Sequence, residues 1–186
     1  MSTRTNLIIQ DQYSKLWFYR HSDGYPEGTY KTLCEFMQRV VDNTIRNNVG
    51  QAAGWLIVIG HEEYKAGTPR NPDGTFRKRT KDEQERVESH KKYSDWKVGS
   101  YEPTESRHAD IEYLYILDLP SGIVQVYQTP FDADWDKPEP MKANGLKEAD
   151  VFLGSLVFFP GKEPVVHGDS LKLALGLDVA PSTKLA

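Results

Sequence analysis

The amino-acid sequence predicts a single α+β domain over residues 1–186, an antiparallel β-sheet packed against two main helices, with a charged insertion at residues 65–94. Three observations lead there. Short β-prone runs occur in pairs separated by turn residues, two stretches carry apolar residues suited to helices, and one abrupt change to charged, turn-forming composition interrupts the chain. At 186 residues the chain is long enough for one core, because a domain near this size buries roughly two thirds of the surface its unfolded form exposes. Neither a disulfide nor a metal is needed to hold it.

The elements follow in chain order. Residues 6–10 and 16–20 read as strands and residues 11–14 as the turn between them, so the chain opens on a β-hairpin. Thr29 is placed to cap a helix whose Tyr30, Leu33, Met37, Val40 and Val41 recur at helical spacing, with Phe36 and Ile45 extending the stripe. Residues 49–64 hold the strand-like run Trp55-Leu56-Ile57-Val58-Ile59 between helix-forming flanks, and their length favours a buried helix.

Residues 65–94 turn charged and carry Asn71-Pro72-Asp73-Gly74 and the basic run Arg77, Lys78 and Arg79, which predicts an insertion extending from the domain. Within it, residues 81–92 form a short solvated helix or a loop, with Val87 as the apolar anchor. Residues 111–119 and 123–128, about the turn Pro120-Ser121-Gly122, predict a central antiparallel hairpin. Residues 129–145 are rich in Pro and Asp and read as a surface connection, after which residues 151–159 and 171–177 return the chain to the core.

Composition narrows the function classes. With 23 Lys plus Arg against 27 Asp plus Glu, the net charge of −4 excludes a uniformly basic nucleic-acid-binding surface, although Arg77, Lys78 and Arg79 make a local one. Cys34 is the only cysteine, which points to a reducing compartment, and its place beside the helical stripe predicts a buried, inert thiol. The N-terminal residues lack an apolar signal core and no run approaches a membrane span, so a cytoplasmic location in a host cell is expected.

Candidate chemistry gathers in two places. Tyr19, Arg20, His21, Ser22, Asp23, Gly24, Tyr25 and Pro26 put a guanidinium, an imidazole, a hydroxyl, a carboxylate and two phenols at a strand end, where Gly24 permits a sharp turn. Arg grips carboxylate or phosphate in a fork and His titrates near neutral pH, so the set suits anion binding or acid–base work. The bland alternative is a turn clamp, with Arg20 paired to a nearby acid and the tyrosines packed on the sheet. The second cluster is Tyr101-Glu102 followed by His108, Asp110 and Glu112, which strand alternation would set on one face. A metal would need a further ligand from His21 or Asp23, so no metal and no cofactor are expected.

Two resemblances bear on function. Arg20-His21 and Val165-Val166-His167-Gly168 look similar to the two histidine motifs of the histidine phosphatase family, which would make His21 the phosphoryl acceptor and Arg20 and His167 parts of a phosphate pocket. Ser22 stands where that family has glycine, and the sheet pattern is antiparallel rather than alternating βαβ. Segments 18–28 (FYRHSDGYPEG), 48–56 (NVGQAAGWL), 96–103 (WKVGSYEP) and 108–115 (HADIEYLY) together resemble a family of uncharacterised small proteins of phages, prophages and mobile elements, across about residues 5–128.

That family carries no established activity, but small acidic proteins of phages commonly counter host defence. By this analogy of source and size the expectation is a non-enzymatic inhibitor of a host defence system such as CRISPR-Cas, acting by stoichiometric binding to a defence protein or ribonucleoprotein complex, or to a nucleotide-like anion. The alternative is a phosphoryl-transfer or nucleotide-handling enzyme built on Arg20, His21 and Asp23. The expected binding residues are Arg20, His21, Asp23, Tyr25, Arg77, Lys78, Arg79, His108, Asp110 and Glu112, with no catalytic residue assigned.

Overall fold

A computed structural model describes residues 3–65, 80–82, 85, 100–130 and 140–177. The opening hairpin forms as expected: β1 (Thr5–Gln10) pairs antiparallel with β2 (Lys15–Arg20), and the Asp11 carboxylate closes the turn on the Tyr13 and Ser14 amides. The same carboxylate accepts from the amide of Val49 at 3.0 Å, which ties the start of the second helix to the turn.

The first helix, α1 (Pro26–Val41), begins earlier than the sequence suggests. Pro26 occupies the first turn, where its missing N–H is no loss and its fixed φ suits a helix, and Glu27 follows. Thr29 is therefore inside the helix and buried, its hydroxyl turned back onto the carbonyls of Tyr25 and Pro26 rather than capping. Leu33, Phe36, Met37 and Val40 are buried along the predicted stripe. Residues 49–64 do form a helix, α2 (Val49–Lys65), but an amphipathic one: Ala52, Leu56 and Ile59 face inward while Val58 is half exposed.

Among the described residues, seven strands form one sheet in the order β3-β2-β1-β4-β5-β6-β7. The remaining strands are β3 (Glu102–Thr104), β4 (Tyr113–Asp118), β5 (Ile123–Gln128), β6 (Val151–Val157) and β7 (Val165–His167), and a short helix α3 (Asp169–Ala174) follows. The predicted hairpin of β4 and β5 is present. The sheet is mixed rather than wholly antiparallel, because β1 pairs parallel with β4, Thr5 opposite Tyr113. A parallel pair requires a crossover between its strands, and α1 and α2 lie in that crossover.

This topology puts β1 inside the sheet, between β2 and β4, with both faces covered. Leu7 and Ile9 join the main core beneath α1 and α2, while Ile8 joins a smaller core on the other face with Trp17, Tyr19, Ile111, Leu114 and Ile116. Residues 142–150 cross this second face, with Leu146 packed against the smaller core. They are held by Arg107 and Asp150, whose fork-to-fork contacts of 2.6 and 2.7 Å leave the two side chains 6% and 1% exposed.

Most of the predicted insertion, with Arg77, Lys78 and Arg79, lies outside the described residues; Lys81, Asp82 and Glu85 within it are helical. The described residues that flank it meet at Gly60 and Ser100. The chain enters it from the end of α2 and returns at Ser100, whose amide and hydroxyl both donate to the Gly60 carbonyl, at 3.4 and 3.2 Å.

Candidate functional site

The site is built at the end of the sheet where β1 and β4 begin and β2 ends. Strand alternation sends the neighbours Arg20 and His21 in opposite directions. Arg20 turns to the helix side and is 5% exposed; its Nε donates to the Ser22 carbonyl at 2.7 Å and its Nη1 to the Tyr101 hydroxyl at 2.9 Å. His21 stays on the opposite face, its imidazole half exposed and its Nε2 3.2 Å from Glu102 Oε2.

Tyr19 is the hub on that face. Its ring is stacked on His108 with centroids 4.0 Å apart and meets His21 edge-on at 4.5 Å. Its hydroxyl donates to Asp110 at 3.2 Å, and Asp110 also accepts from Arg4 at 2.8 Å. Burial, then the Asp110 carboxylate, push the Tyr19 phenol up to about 12, so it is a neutral hydrogen-bond donor throughout the physiological range. His108 is fixed twice more: its ring Nε2 lies 3.0 Å from the Thr104 hydroxyl, and its amide donates to the buried Asn6 side chain at 2.7 Å.

The loop after Arg20 is held with equal care. Asp23, with φ of 55°, takes the left-handed position that the sequence assigns to Gly24. Gly24 is needed for a different reason: a Cβ there would lie 2.8 Å from Thr5 Cγ2. Its carbonyl accepts from the buried Tyr115 hydroxyl at 2.8 Å and its amide donates to Thr3 at 3.0 Å.

The two sequence clusters thus meet in part. His21, His108 and Asp110 converge about Tyr19, and Arg4 and Glu102 complete the group. Arg20 is separated from them by the sheet, Tyr25 precedes α1 as its N-cap, and Asp23 is exposed on the loop. The expected alternation of His108, Asp110 and Glu112 along a strand does not occur, because β4 starts only at Tyr113 and residues 108–112 form an irregular approach to it. Glu112 is exposed there, its amide donating to the Arg4 carbonyl. Tyr19, which lies in the candidate stretch but is not among the expected binding residues, is the side chain that joins the two clusters, and the alternation of β2 pairs it with His21 and not with Arg20.

The histidine pair of the phosphatase resemblance is not brought together. His167 ends β7, five strand positions from β2, or about 24 Å at about 4.8 Å per strand, so it cannot share a phosphate pocket with His21. Among the described residues, no three His, Cys, Asp or Glu side chains are grouped to hold a metal ion. An open cleft of about 230 Å³, between Val41, Asn43, Leu119 and Phe158, lies at the other end of the strands. No helix among the described residues is long and apolar enough to cross a membrane.

Comparison with known proteins adds no identity: no family model matches the chain, and neither a curated protein nor a solved structure matches it.

Proposed function

We propose that this chain is a binding protein of phage or mobile-element type that inhibits a host defence complex at molar equivalence, with CRISPR-Cas effectors the first partners to test. The observation that supports it is the preassembled face around Tyr19. His21, Glu102, Arg4 and Asp110 are each part-exposed yet already held by another side chain. A polar face fixed before contact loses less side-chain freedom when a partner binds, which favours an interface.

Catalysis asks for something else: a nucleophile and a base aimed at one shared point. Arg20 and His21, which the phosphoryl-transfer alternative needs together, stand on opposite faces of the sheet. The test is a titration of the purified chain into purified single-subunit and multi-subunit CRISPR-Cas effectors, with target-DNA cleavage measured. Inhibition that saturates at one equivalent supports the reading. Inhibition at far below one equivalent, with turnover of a nucleotide, favours the enzyme, and cleavage unaffected at tenfold excess rejects these partners.

A further inference from the structure

We propose that Arg20 is a positioning residue: from inside the core it fixes loop 21–25 against strand β3, so that the His21–Glu102 pair stands ready on the surface. This rests on the reading of the Tyr19 face as the contact surface, and deepens it. The buried pair and the surface pair are adjacent along both segments. Arg20 precedes His21, and Tyr101, which accepts from Arg20, precedes Glu102, which meets His21 at 3.2 Å. Two residues on each segment therefore alternate inward and outward in step.

Among the contacts of the guanidinium are three, within the described residues, that a simpler side chain would not combine. Nε holds the Ser22 carbonyl, Nη1 holds the Tyr101 hydroxyl, and the guanidinium carbon lies 5.2 Å from the Tyr101 ring centroid. Tyr101 is itself fully buried. Burying a cation is unfavourable unless its donors are satisfied, and an apolar side chain of similar volume commonly stabilises a core as well or better. What the planar fork adds at this place is direction: it links the loop carbonyl to the first residue of the strand approach at fixed angles. The Tyr115 hydroxyl on Gly24 and the Thr29 amide on the Tyr25 carbonyl complete the restraint.

The test compares Arg20→Met, which keeps the volume, with the parent chain and with His21→Ala. Amide exchange is measured at Gly24 and Thr29 against Leu114 to Leu117 in β4, and the ring-proton shifts of His21, which the nearby Tyr19 ring displaces, are followed by NMR. In Arg20→Met the Gly24 and Thr29 amides should exchange about tenfold faster while β4 is unchanged, and the His21 shifts should move toward free-imidazole values. Half-inhibition of the effector found by the titration should need about tenfold more protein, as for His21→Ala. Should Arg20→Met fail to fold, Tyr101→Phe removes the acceptor and keeps the ring, and the same changes are expected at smaller size.

Exchange that rises evenly through the sheet, or His21 shifts that stay in place, would overturn the proposal and leave Arg20 an ordinary core residue. A loosened loop with full inhibition in Arg20→Met, but lost inhibition in His21→Ala, would overturn the positioning role alone. Full inhibition in both variants would instead remove the Tyr19 face from the contact surface.

Discussion

Removing the Asp150 carboxylate should be among the most destabilising single changes in this protein. Asp150 is 1% exposed and takes both arms of Arg107, at 2.6 and 2.7 Å, while also accepting from the Lys147 amide at 2.7 Å. In Asp150→Ala the guanidinium remains buried with the Gly145 carbonyl, at 3.1 Å, as the acceptor still in place. Breaking a buried pair from one side costs about 3–5 kcal/mol, because the remaining charge has lost its solvent and its partner together. At about 2–4 °C per kcal/mol for a domain of this size, the melting temperature should fall by roughly 6–20 °C.

The double variant Arg107→Met with Asp150→Ala should be less affected than the sum of its parts. It removes both charges and leaves chiefly the Lys147 amide and the Gly145 carbonyl short of a partner, at about 1 kcal/mol each. The cycle should therefore fall short of additivity by more than about 2 kcal/mol. Urea unfolding followed by tryptophan fluorescence and circular dichroism measures it, with an unchanged slope required for the comparison. An Asp150→Ala cost below about 1 kcal/mol, or a double variant equal to the sum of the singles, would refute the argument that this pair holds residues 142–150 over the smaller core.

Four further outcomes are expected. Gly60→Ala would bring a methyl to 2.6 Å from the Tyr101 ring, and should cost about 1–3 kcal/mol by urea unfolding while shifting the His21 resonances through Arg20. Alkaline titration at 295 nm should show Tyr19 and Tyr30 ionising near 12, mainly because of burial. Their folded values lie above the unfolded value near 10, so the stability they contribute is complete below pH 10 and is lost as pH rises toward 12. Burial holds the Cys34 thiol up at about 11, and a disulfide reagent at pH 8 should therefore react slowly with the native chain and rapidly in urea. Reversing the charges of Arg77, Lys78 and Arg79 should weaken inhibition of a sensitive effector and flatten its decline as salt rises from roughly 0.05 to 0.2 M; inhibition indifferent to both would take the basic run out of the mechanism.

The sequence by itself determined those elements whose signals are local. Turn residues flanked by alternating apolar positions announce the hairpins β1–β2 and β4–β5, since their partners are separated by a few residues and the turn sets the register. The apolar stripe of α1 and the length of the α2 segment were likewise legible, although Pro26 rather than Thr29 marks where α1 starts. Polar residues dense enough to form a site were visible around His21 and His108.

Only the tertiary structure decided how these pieces meet. The parallel pairing of β1 with β4 joins residues about a hundred positions apart, and nothing local specifies it. Arg20 and His21 are adjacent in the chain, yet the pleat of β2 puts one in the core and the other on the surface, so contiguity misled where period two applied. Tyr19 of β2, Glu102 of β3 and Arg4 just before β1 enter the site from three separate stretches of chain, and Arg107 reaches Asp150 across 43 positions. Such contacts are fixed by packing and by the need to satisfy buried polar groups, which the chain can meet only after the sheet has closed around them.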